Sequence, residues 1–205
     1  MKATRLRRGR PREFDRDVAL ATALNLFWRY GFEGTSIEAL TTAIGISAPS
    51  LYGTFGSKEA LFRETIQRYL DTYGQVFWKA LSEEPRAKEA VAKLLQDAAR
   101  QFSDPHHPAG CFVSYGILQC SERDQTLASE MSRHRKMARE LAKARLDAAQ
   151  KIGEIPPESD TSALATFFSA IVLGMAIQAR DGASRKTLTS IAHIAMRVWP
   201  TDTPN

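Results

Sequence analysis

Residues 35–58 read TSIEALTTAIGISAPSLYGTFGSK, and this stretch has the pattern of two short helices joined by a glycine turn. Ile37, Leu40 and Ile44 have the spacing of one apolar face of a half-buried helix. Gly45 follows them, and glycine tolerates the left-handed conformation that ends a helix. A second short helix comes directly after this turn. Two short helices around a glycine turn predict a helix-turn-helix, a unit that places its second helix in the major groove of DNA.

Polar residues mark the start of both helices. Thr35 followed by Glu38 is the pattern of a capping box, which predicts that the first helix begins at Ser36. Ser47 is a good N-cap for the second helix, which we predict over residues 48–54. At about 1.5 Å per residue, this second helix is only about 10 Å long and is too short to be stable alone. Its length suits a helix that is presented to a groove of DNA better than a helix that builds the core.

Small side chains cover the outward face of the second helix, so its backbone can approach a duplex closely. The recognition helix of a helix-turn-helix contacts bases through its N-terminal residues. The residues expected to face the groove are Ser47, Ala48, Pro49, Ser50 and Thr54. The helix lacks Arg, Asn and Gln, which read bases through paired hydrogen bonds, so DNA shape and methyl contacts are expected to contribute to specificity. The alternative is a helical hairpin whose glycines merely turn the chain.

The N-terminus is strongly basic, whereas the rest of the chain is almost neutral. Six of the 28 Lys and Arg residues precede Glu13, and all 23 acidic residues lie at or after it, within a net charge of +5. Residues 1–13 are therefore interpreted as a flexible arm. Beside a helix-turn-helix, Arg8, Arg10 and Arg12 are expected to neutralise phosphates or to enter the minor groove. A solubilising tail is the alternative.

Composition predicts a globular protein of one large or two small domains. The chain has 205 residues, of which 43% are apolar. There is no run of 18 apolar residues to span a membrane and no apolar segment behind the basic N-terminus, so we expect a cytoplasmic protein. The sequence contains no P-loop, nucleophile elbow or metalloprotease motif. We therefore expect no enzyme activity, cofactor or metal.

Helical spacing continues along the chain, and no strand pattern competes with it. Asp15 can cap a first helix that ends near Tyr30, and Ser57 opens a helix that continues towards Leu81. Breaks that contain Pro, Gly and Ser then separate further helices. The fold is predicted to be all-α with about nine helices. The expected parts are the arm, a helix-turn-helix domain over residues 14–60, a helical domain over residues 61–200 and a tail over residues 201–205.

With these elements placed, the chain resembles the TetR family of bacterial transcriptional regulators over residues 14–77. The segments that carry the resemblance are Tyr30–Ser36, Gly45–Ser47, Leu51–Tyr52 and Phe55–Leu61. The Arg8–Pro11 sequence and the Gly110–Cys111 pair resemble one subgroup, which includes a copper-responsive repressor. The resemblance implies that residues 61–200 bind an effector and form a homodimer. In that homodimer the last two helices build a four-helix bundle across a two-fold axis.

The resemblance also assigns DNA contacts around the helix-turn-helix. Thr35, Ser36 and Lys58 stand at helix starts and are expected to contact phosphates. Tyr52 is expected to contact a phosphate or a thymine methyl, as the matching tyrosine of the family does, unless its ring only packs against the core. A dimer presents two recognition helices about 34 Å apart, or a multiple of this distance, so we expect a near-palindromic operator.

An unusually apolar helix over residues 160–180 supports a dimer independently, because it is apolar on more than one face. The residues expected at the dimer interface are Phe167, Ala170, Gly174, Ile177, Ile191, Ile194 and Val198. A helix at the centre of a monomer core is the alternative. The residues expected to line an effector cavity, each of which also suits an ordinary core, are Phe102, Cys111, Phe112, Tyr115, Gln119, Met131, Phe168, Ile171, Met175 and Gln178.

The two cysteines allow several interpretations. A continuous helix from Cys111 to Cys120 would separate the thiols by about 13 Å, too far for a disulfide. Cys111 is a candidate reactive thiol, or a soft-metal ligand together with His106 and His107, and a buried structural cysteine is the alternative. His134 lies among basic residues, which predicts a solvated face.

Together these features predict a sequence-specific DNA-binding regulator, a homodimeric repressor that a small-molecule effector releases from its operator. Two other hypotheses within DNA binding remain open. One is an architectural dimer without an effector, and the other is a thiol- or metal-responsive regulator that acts through Cys111. A helical enzyme or lipid carrier with a hairpin similar to a helix-turn-helix is a further alternative.

Overall fold

The computed structural model describes residues 15–118 and 120–200, and all regular elements in these ranges are helical. The α-helices are α1 (Arg16–Tyr30), α2 (Ile37–Ile44), α3 (Ala48–Phe55), α4 (Lys58–Tyr69), α5 (Gln75–Glu83), α6 (Ala87–Phe102), α7 (Phe112–Tyr115), α8 (Gln125–Lys151), α9 (Thr161–Arg180) and α10 (Arg185–Ala195). A π-helical segment joins α4 to α5, and counting these as one helix gives nine in the described ranges. The predicted all-α fold with about nine helices is confirmed.

Helices α1 to α4 form the N-terminal unit around one apolar core. Fully buried side chains from all four helices build this core: Phe27, Trp28, Leu40, Leu51 and Phe62. The rings of Phe27 and Phe62 meet edge to face, with 5.1 Å between their centroids. Such aromatic contacts add to the stabilisation from buried apolar surface. The core therefore holds the short helices α2 and α3 against the longer α1 and α4.

The ends of α2 and α3 follow the sequence signals with one exception. Gly45 has φ 80° and ψ 33°, the left-handed conformation predicted to end α2. Ser47 caps α3 and accepts a hydrogen bond from the backbone N–H of Ser50. The predicted capping box is wrong, because the N-cap of α2 is Ser36 and not Thr35. The first helix of the pair therefore begins one residue later than expected.

Thr35 is instead buried, with 1% of its surface exposed. Its hydroxyl donates to the carbonyl of Gly31 at 2.7 Å. Gly31 is the residue at which α1 ends, and carbonyls at a helix end lack helical partners. The Thr35 side chain therefore ties the end of α1 to the start of α2, and its hydroxyl is turned into the protein.

Replacing Thr35 with Val is expected to lower the free energy of unfolding by about 1 kcal/mol, because the Gly31 carbonyl loses its donor while the side-chain volume is kept. Urea unfolding followed by circular dichroism measures the change. Thr42→Val, at an exposed position of α2, is the control and should change the free energy by less than about 0.5 kcal/mol. Equal stability of the wild type and Thr35→Val would contradict the role given to this hydrogen bond.

The predicted uninterrupted helix from Ser57 towards Leu81 is wrong at its centre. Residues Leu70–Gly74 form a π-helical segment between α4 and α5. A π turn changes the phase of the side chains that follow it, and such turns are frequent at functional sites. Tyr69 and Tyr73 lie at this segment with their rings stacked at 5.7 Å between centroids.

Helices α5 to α10 form the C-terminal unit. Helix α6 contacts α5, α9 and α10, while α8 packs along α9. Fully buried residues from α6, α8, α9 and α10 form the core of this unit: Leu95, Phe102, Met131, Leu146, Met175 and Leu188. The unit is therefore a helical bundle with α6 and α9 at its centre.

Helix α9 is long and apolar enough to cross a membrane by length and composition alone, with a mean hydropathy of 1.7. Core helices of soluble proteins meet the same criterion. Within the single chain, 33% of this apolar stretch is buried. The other residues of this stretch are half-buried or exposed in the single chain.

The segment between Cys111 and Cys120 contains only one turn of helix, α7, rather than a continuous helix. Both cysteines are free. Helix α7 contacts α4 and α8, and the backbone N–H of Phe32 donates to the carbonyl of Gly116 at 3.0 Å. Helix α7 therefore bridges the C-terminal unit and the helix-turn-helix unit.

Candidate DNA-binding surface and effector cavity

Helix α3 presents a small polar face to solvent. Leu51 and Phe55 hold the helix in the core, as predicted, with at most 4% of their surface exposed. The exposed residues of α3 and its N-cap are Ser47, Pro49, Ser50, Tyr52 and Gly53, while Ala48 and Thr54 are half-buried. The ring of Tyr52 is the large group on this face, with 45% of the residue exposed. Small side chains beside one exposed ring leave room for the backbone to approach a duplex.

The hydroxyl groups of this face already have partners in or next to α3. The Oγ atoms of Ser47 and Ser50 lie 2.9 Å apart, and Thr54 Oγ1 donates to the Ser50 carbonyl at 2.8 Å. A serine hydroxyl has one donor and two acceptor sites. Ser50 therefore keeps capacity for a base or a bridging water, whereas the donor of Thr54 is used within its own helix.

The candidate phosphate contacts lie on both sides of α3. Ser36 is exposed at the N-terminus of α2. Lys58 stands at the start of α4, and its ammonium lies 4.2 Å from the centroid of the Phe32 ring, an arrangement that a cation–π interaction stabilises. The candidate residues of the arm, Arg8, Arg10 and Arg12, lie outside the described residues. Thr35 has no donor left for a phosphate, because its hydroxyl donates to the Gly31 carbonyl and its backbone N–H donates to the Phe32 carbonyl at 3.3 Å.

A cavity of about 390 Å³ lies between the end of α4 and helices α5, α6, α7, α8 and α9. Its wall is mostly apolar and includes Leu70, Phe77, Trp78, Leu94, Leu146 and Val172. The π-helical segment contributes both Leu70 and Gly74. Cavities of roughly 300–1,000 Å³ with apolar walls and a few polar groups are typical of small-molecule sites. The size and lining of this cavity fit an apolar organic ligand.

Cys111 and Tyr69 form one hydrogen-bonded pair of polar groups in the cavity wall. The Tyr69 hydroxyl donates to Cys111 Sγ at 3.2 Å. Burial raises the pKa of Tyr69 well above its usual value, so the phenol stays protonated and remains a donor. Cys111 itself is 7% exposed. The thiol is therefore a buried wall group rather than a surface group.

His134 and Arg135 form a second pair of polar groups in the wall. The solvated face predicted for His134 is wrong, because this residue is half-buried and lines the cavity together with Arg135. Burial lowers the pKa of His134, and the charges of Arg133 and Arg135 lower it further against the opposing effect of Glu130. These two side chains give the otherwise apolar cavity a basic region.

The residues predicted to line an effector cavity occupy several environments. Cys111 and Phe168 lie in the wall of the cavity. The others comprise buried Phe102, Phe112, Met131 and Met175, Tyr115 in a neighbouring cleft, half-buried Ile171 and exposed Gln178. Gln119 lies outside the described residues. Most of the wall is therefore built by positions outside the predicted set.

A chain of contacts connects the cavity to the helix-turn-helix. Trp28 Nε1 donates to the Tyr115 hydroxyl at 3.1 Å, and the Trp28 ring lies edge-on to that of Tyr69 at 4.8 Å. Arg180, at the end of α9, donates to the carbonyl of Arg29 at 3.0 Å and lies over the Tyr115 ring. Helix α1 therefore contacts both the cavity wall and α9.

An exposed apolar face runs along α9 and α10 and includes the predicted dimer interface. Ile177, Ile194 and Val198 are 40%, 61% and 49% exposed. The predicted set also contains Ala170 and Gly174, which are exposed, and Phe167 and Ile191, which are half-buried. A Cβ added to Gly174 would meet no atom within 4 Å. Contiguous exposed apolar side chains of this kind mark interaction surfaces.

The three candidate soft-metal ligands have other partners. His106 is exposed, with Nδ1 2.7 Å from Asp104 Oδ1. His107 stacks on the Trp28 ring at 4.7 Å between centroids, and Cys111 accepts from Tyr69. In the part of the chain that the structure describes, no three His, Cys, Asp or Glu side chains are grouped to hold a metal ion.

Both units of the chain match known protein families. The model of the bacterial regulatory proteins of the tetR family matches residues 19–65, and that of the tetracyclin repressor-like C-terminal domain matches residues 87–194. The chain belongs to the TetR family. The second match covers more than half of its length, and relatives of 30% identity or more extend over nearly all of it.

Two of these relatives are repressors from Escherichia coli (strain K12). The HTH-type transcriptional repressor ComR is 40% identical over 94% of this chain and 92% of ComR. The HTH-type transcriptional repressor BdcR is 30% identical over 91% of this chain and 90% of BdcR. A solved structure shows a cysteine mutant of the TetR family regulator CifR in complex with a 26-bp double-strand operator DNA. That structure has a TM-score of 0.88 and 37% identity, and the match covers 94% of this chain and 100% of that chain.

This TetR-family protein is a DNA-binding transcriptional regulator. The predictions of the family, the helical architecture and the regulatory function are confirmed. The family is dimeric and effector-responsive, so the expected homodimer on operator DNA is confirmed at the level of the family. The resemblance to the subgroup with a copper-responsive repressor stays a prediction, as do the domain boundaries and the individual DNA, cavity and interface contacts.

Proposed function

We propose that this regulator is a homodimeric repressor that leaves a near-palindromic operator when a small apolar effector fills the cavity. The observation that carries the proposal is the apolar cavity of about 390 Å³, whose wall continues through Tyr69 to Trp28 of the helix-turn-helix unit. Because the two sites share this packed wall, the binding of effector and the binding of DNA are expected to weaken each other reciprocally.

In the DNA complex, α3 lies in the major groove with its cap and first turn towards the bases. The proposed groove contacts are Ser47, Ala48, Pro49, Ser50, Tyr52 and Thr54, and the proposed phosphate contacts are Ser36 and Lys58. The exposed face of α3 supports this arrangement. The arm with Arg8, Arg10 and Arg12 adds phosphate or minor-groove contacts. The relative CifR is bound to operator DNA in its solved structure.

In the dimer, the apolar faces of α9 and α10 cover each other across a two-fold axis. The exposure of Ile177, Ile194 and Val198 in the single chain supports this interface. The open surface at Gly174 allows two copies of α9 to approach closely. Such a dimer would hold two α3 helices one turn of DNA apart, about 34 Å, or a multiple of this distance.

The effector signal is expected to travel through the contacts that join the cavity wall to α1 and the segment after it. A ligand in the cavity acts directly on Tyr69, whose ring meets Trp28 of α1. The carbonyl of Gly116, at the end of α7, accepts from the backbone N–H of Phe32. Displacement of Tyr69 or α7 would therefore move α1 and change the spacing of the two α3 helices in the dimer.

We further propose that the protein acts by binding rather than by catalysis and works in the cytoplasm, where its operator lies. Its relatives ComR and BdcR are named repressors, and CifR is named a transcriptional regulator. An architectural protein would instead bind many DNA sequences with similar affinity, and no compound would release it from them.

The cavity can be tested by filling it. Purified protein first selects a duplex from a random DNA library, and fluorescence anisotropy then identifies apolar compounds that release this selected duplex. Ala142 is half-buried in the cavity wall. The variant Ala142→Phe is expected to bind the selected duplex normally but to need at least about tenfold more compound for release, a difference of about 1.4 kcal/mol.

Ala144→Phe is the matched control for the cavity-filling variant. Ala144 lies on the same helix, is exposed and does not line the cavity. This control should respond to the compound as the wild type does. Release of the Ala142→Phe complex at the wild-type concentration would contradict the proposed effector site.

A second candidate function is a thiol-responsive regulator. The observation that favours it is the position of Cys111 in the cavity wall, with Sγ accepting from Tyr69 at 3.2 Å. Oxidation or alkylation of this thiol would enlarge the group and disrupt the contact to Tyr69. An oxidant that releases the wild type but not Cys111→Ala from the selected duplex would favour this function over a reversible apolar effector.

A further inference from the structure

Arg135 brings a positive charge into the wall of an otherwise uncharged cavity. The described residues that line this cavity include no Asp, Glu or Lys. The guanidinium is half-buried, and this burial lowers the pKa of Arg135, which reflects the cost of removing a cation from water. His134 beside it also has a lowered pKa because of burial. Arg135 is therefore the permanent charge among the described wall residues.

Arg135 also lacks the partner that a half-buried arginine usually has. Even the exposed Arg63 makes a two-pronged ion pair with Glu130, at 2.9 Å. Within residues 15–118 and 120–200, Arg135 has no carboxylate at ion-pair distance, and its Nη1 donates to the carbonyl of Val113 at 2.9 Å. A guanidinium carries five N–H donors. Most of the hydrogen-bonding capacity of Arg135 is therefore left for another acceptor.

This chemistry selects the kind of ligand that suits the cavity. A cation taken out of water is stabilised by a hydrogen-bonded anion. The planar fork of a guanidinium matches the two oxygens of a carboxylate better than any single-atom acceptor. The remaining wall is mostly apolar. A molecule with one acidic end and an apolar body is complementary to both parts, whereas a cationic ligand would be repelled.

We propose that the effector is an amphiphilic carboxylate whose acidic group binds Arg135 and whose apolar body fills the space lined by Phe77, Trp78 and Leu146. This inference rests on the proposed role of the cavity as the effector site and adds the chemical class of the effector. The carboxylate would use the Arg135 donors that the Val113 carbonyl leaves open.

Decanoate and decanol form a matched pair of probes, because they share the same chain and differ in charge. Isothermal titration calorimetry with the full-length protein is expected to show decanoate binding at least about tenfold more tightly than decanol. Arg135→Met should remove this preference. Arg135→Lys keeps the charge without the planar fork and should retain part of it.

Arg133→Met is the control variant for this experiment. Arg133 is exposed on the same helix and does not line the cavity, so its replacement removes one positive charge without touching the site. The preference for decanoate should persist in this control. Equal affinity of the wild type for the two probes, no binding of decanoate, or an unchanged preference in Arg135→Met would each overturn the inference. If Arg135→Met fails to fold, the wild-type and Arg135→Lys preferences decide.

Anisotropy of the selected duplex in the same samples separates this inference from the proposed function. Decanoate that binds through Arg135 and leaves the DNA complex intact would support the ligand class and contradict the effector role of the cavity. Equal release by decanoate and decanol would support the effector role and overturn the acidic ligand.

Discussion

Replacing Ile194 with Asp is expected to convert the dimer into monomers and to abolish binding to the selected duplex. Ile194 is 61% exposed in the single chain and lies on the apolar face of α9 and α10. Across a two-fold axis the substitution enters the interface twice. Each carboxylate would lose its hydration without gaining a partner, at a cost of several kcal/mol. Analytical ultracentrifugation at micromolar protein measures the mass of the particle.

The loss of DNA binding follows from the loss of the dimer. A single α3 offers few base contacts, because its exposed side chains are small apart from Tyr52. Joining two such heads raises the affinity for a double site through the effective concentration of the second head. We therefore expect the affinity of Ile194→Asp for the selected duplex to fall by at least about a hundredfold.

Ile152→Asp is the matched control, since Ile152 is 71% exposed at the end of α8 and lies outside α9 and α10. This variant should remain dimeric and bind DNA normally. A dimeric Ile194→Asp protein with wild-type affinity would show that the two-fold interface lies elsewhere on the molecule.

The helix-turn-helix could be predicted closely because its signals are local. Gly45 ends a helix through its own backbone conformation, and Ser47 caps the next through a neighbouring N–H. Both effects act within a few residues and need no knowledge of the rest of the chain. The predicted second helix over residues 48–54 accordingly differs from α3 by one residue.

The errors in this region come from tertiary contacts. Thr35 has the sequence of a capping residue, but its hydroxyl bonds to the end of α1, so Ser36 takes the capping role. The π-helical segment at Leu70–Gly74 has no signal in the spacing of apolar residues. Local sequence patterns set the conformational preferences of single turns. Packing between helices then determines which of the preferred conformations is adopted.

The cavity was predictable only in part, because a wall is made by faces of helices that lie far apart in sequence. Cys111 and Phe168 were expected there and are in the wall. His134 was predicted to lie on a solvated face because its neighbours, Arg135 among them, are basic. Helical spacing contained the better signal, since Arg135 follows the buried Met131 by one turn and shares its face.

Removing residues 1–12 and replacing Tyr52 with Ala is expected to abolish operator recognition. The deleted arm holds six of the 28 basic residues of the chain. Tyr52 is the large exposed group on α3, with 45% of its surface accessible. Phosphate contacts supply much of the affinity of DNA-binding proteins and make it salt-dependent. The deletion alone should therefore lower the affinity for DNA and make this affinity less dependent on salt. Tyr52→Ala alone should reduce the difference in affinity between the selected duplex and a scrambled one.

Tyr30→Ala is the matched control for the substitution, since Tyr30 is 56% exposed at the end of α1 and lies outside α3. It should bind the selected duplex as the wild type does. The unchanged apolar face of α9 and α10 should keep every variant dimeric, which ultracentrifugation verifies. Loss of binding can then be assigned to the DNA surface alone.

The affinity of the combined variant for the selected duplex tests whether α3 and the basic arm recognise DNA. Fluorescence anisotropy at about 0.15 M salt, near physiological ionic strength, is the measurement. We predict that the combined variant loses at least about a hundredfold in affinity and binds selected and scrambled duplexes equally. An affinity within about threefold of the wild type, a difference of less than about 1 kcal/mol in binding free energy, would show that DNA recognition does not depend on α3 and the arm.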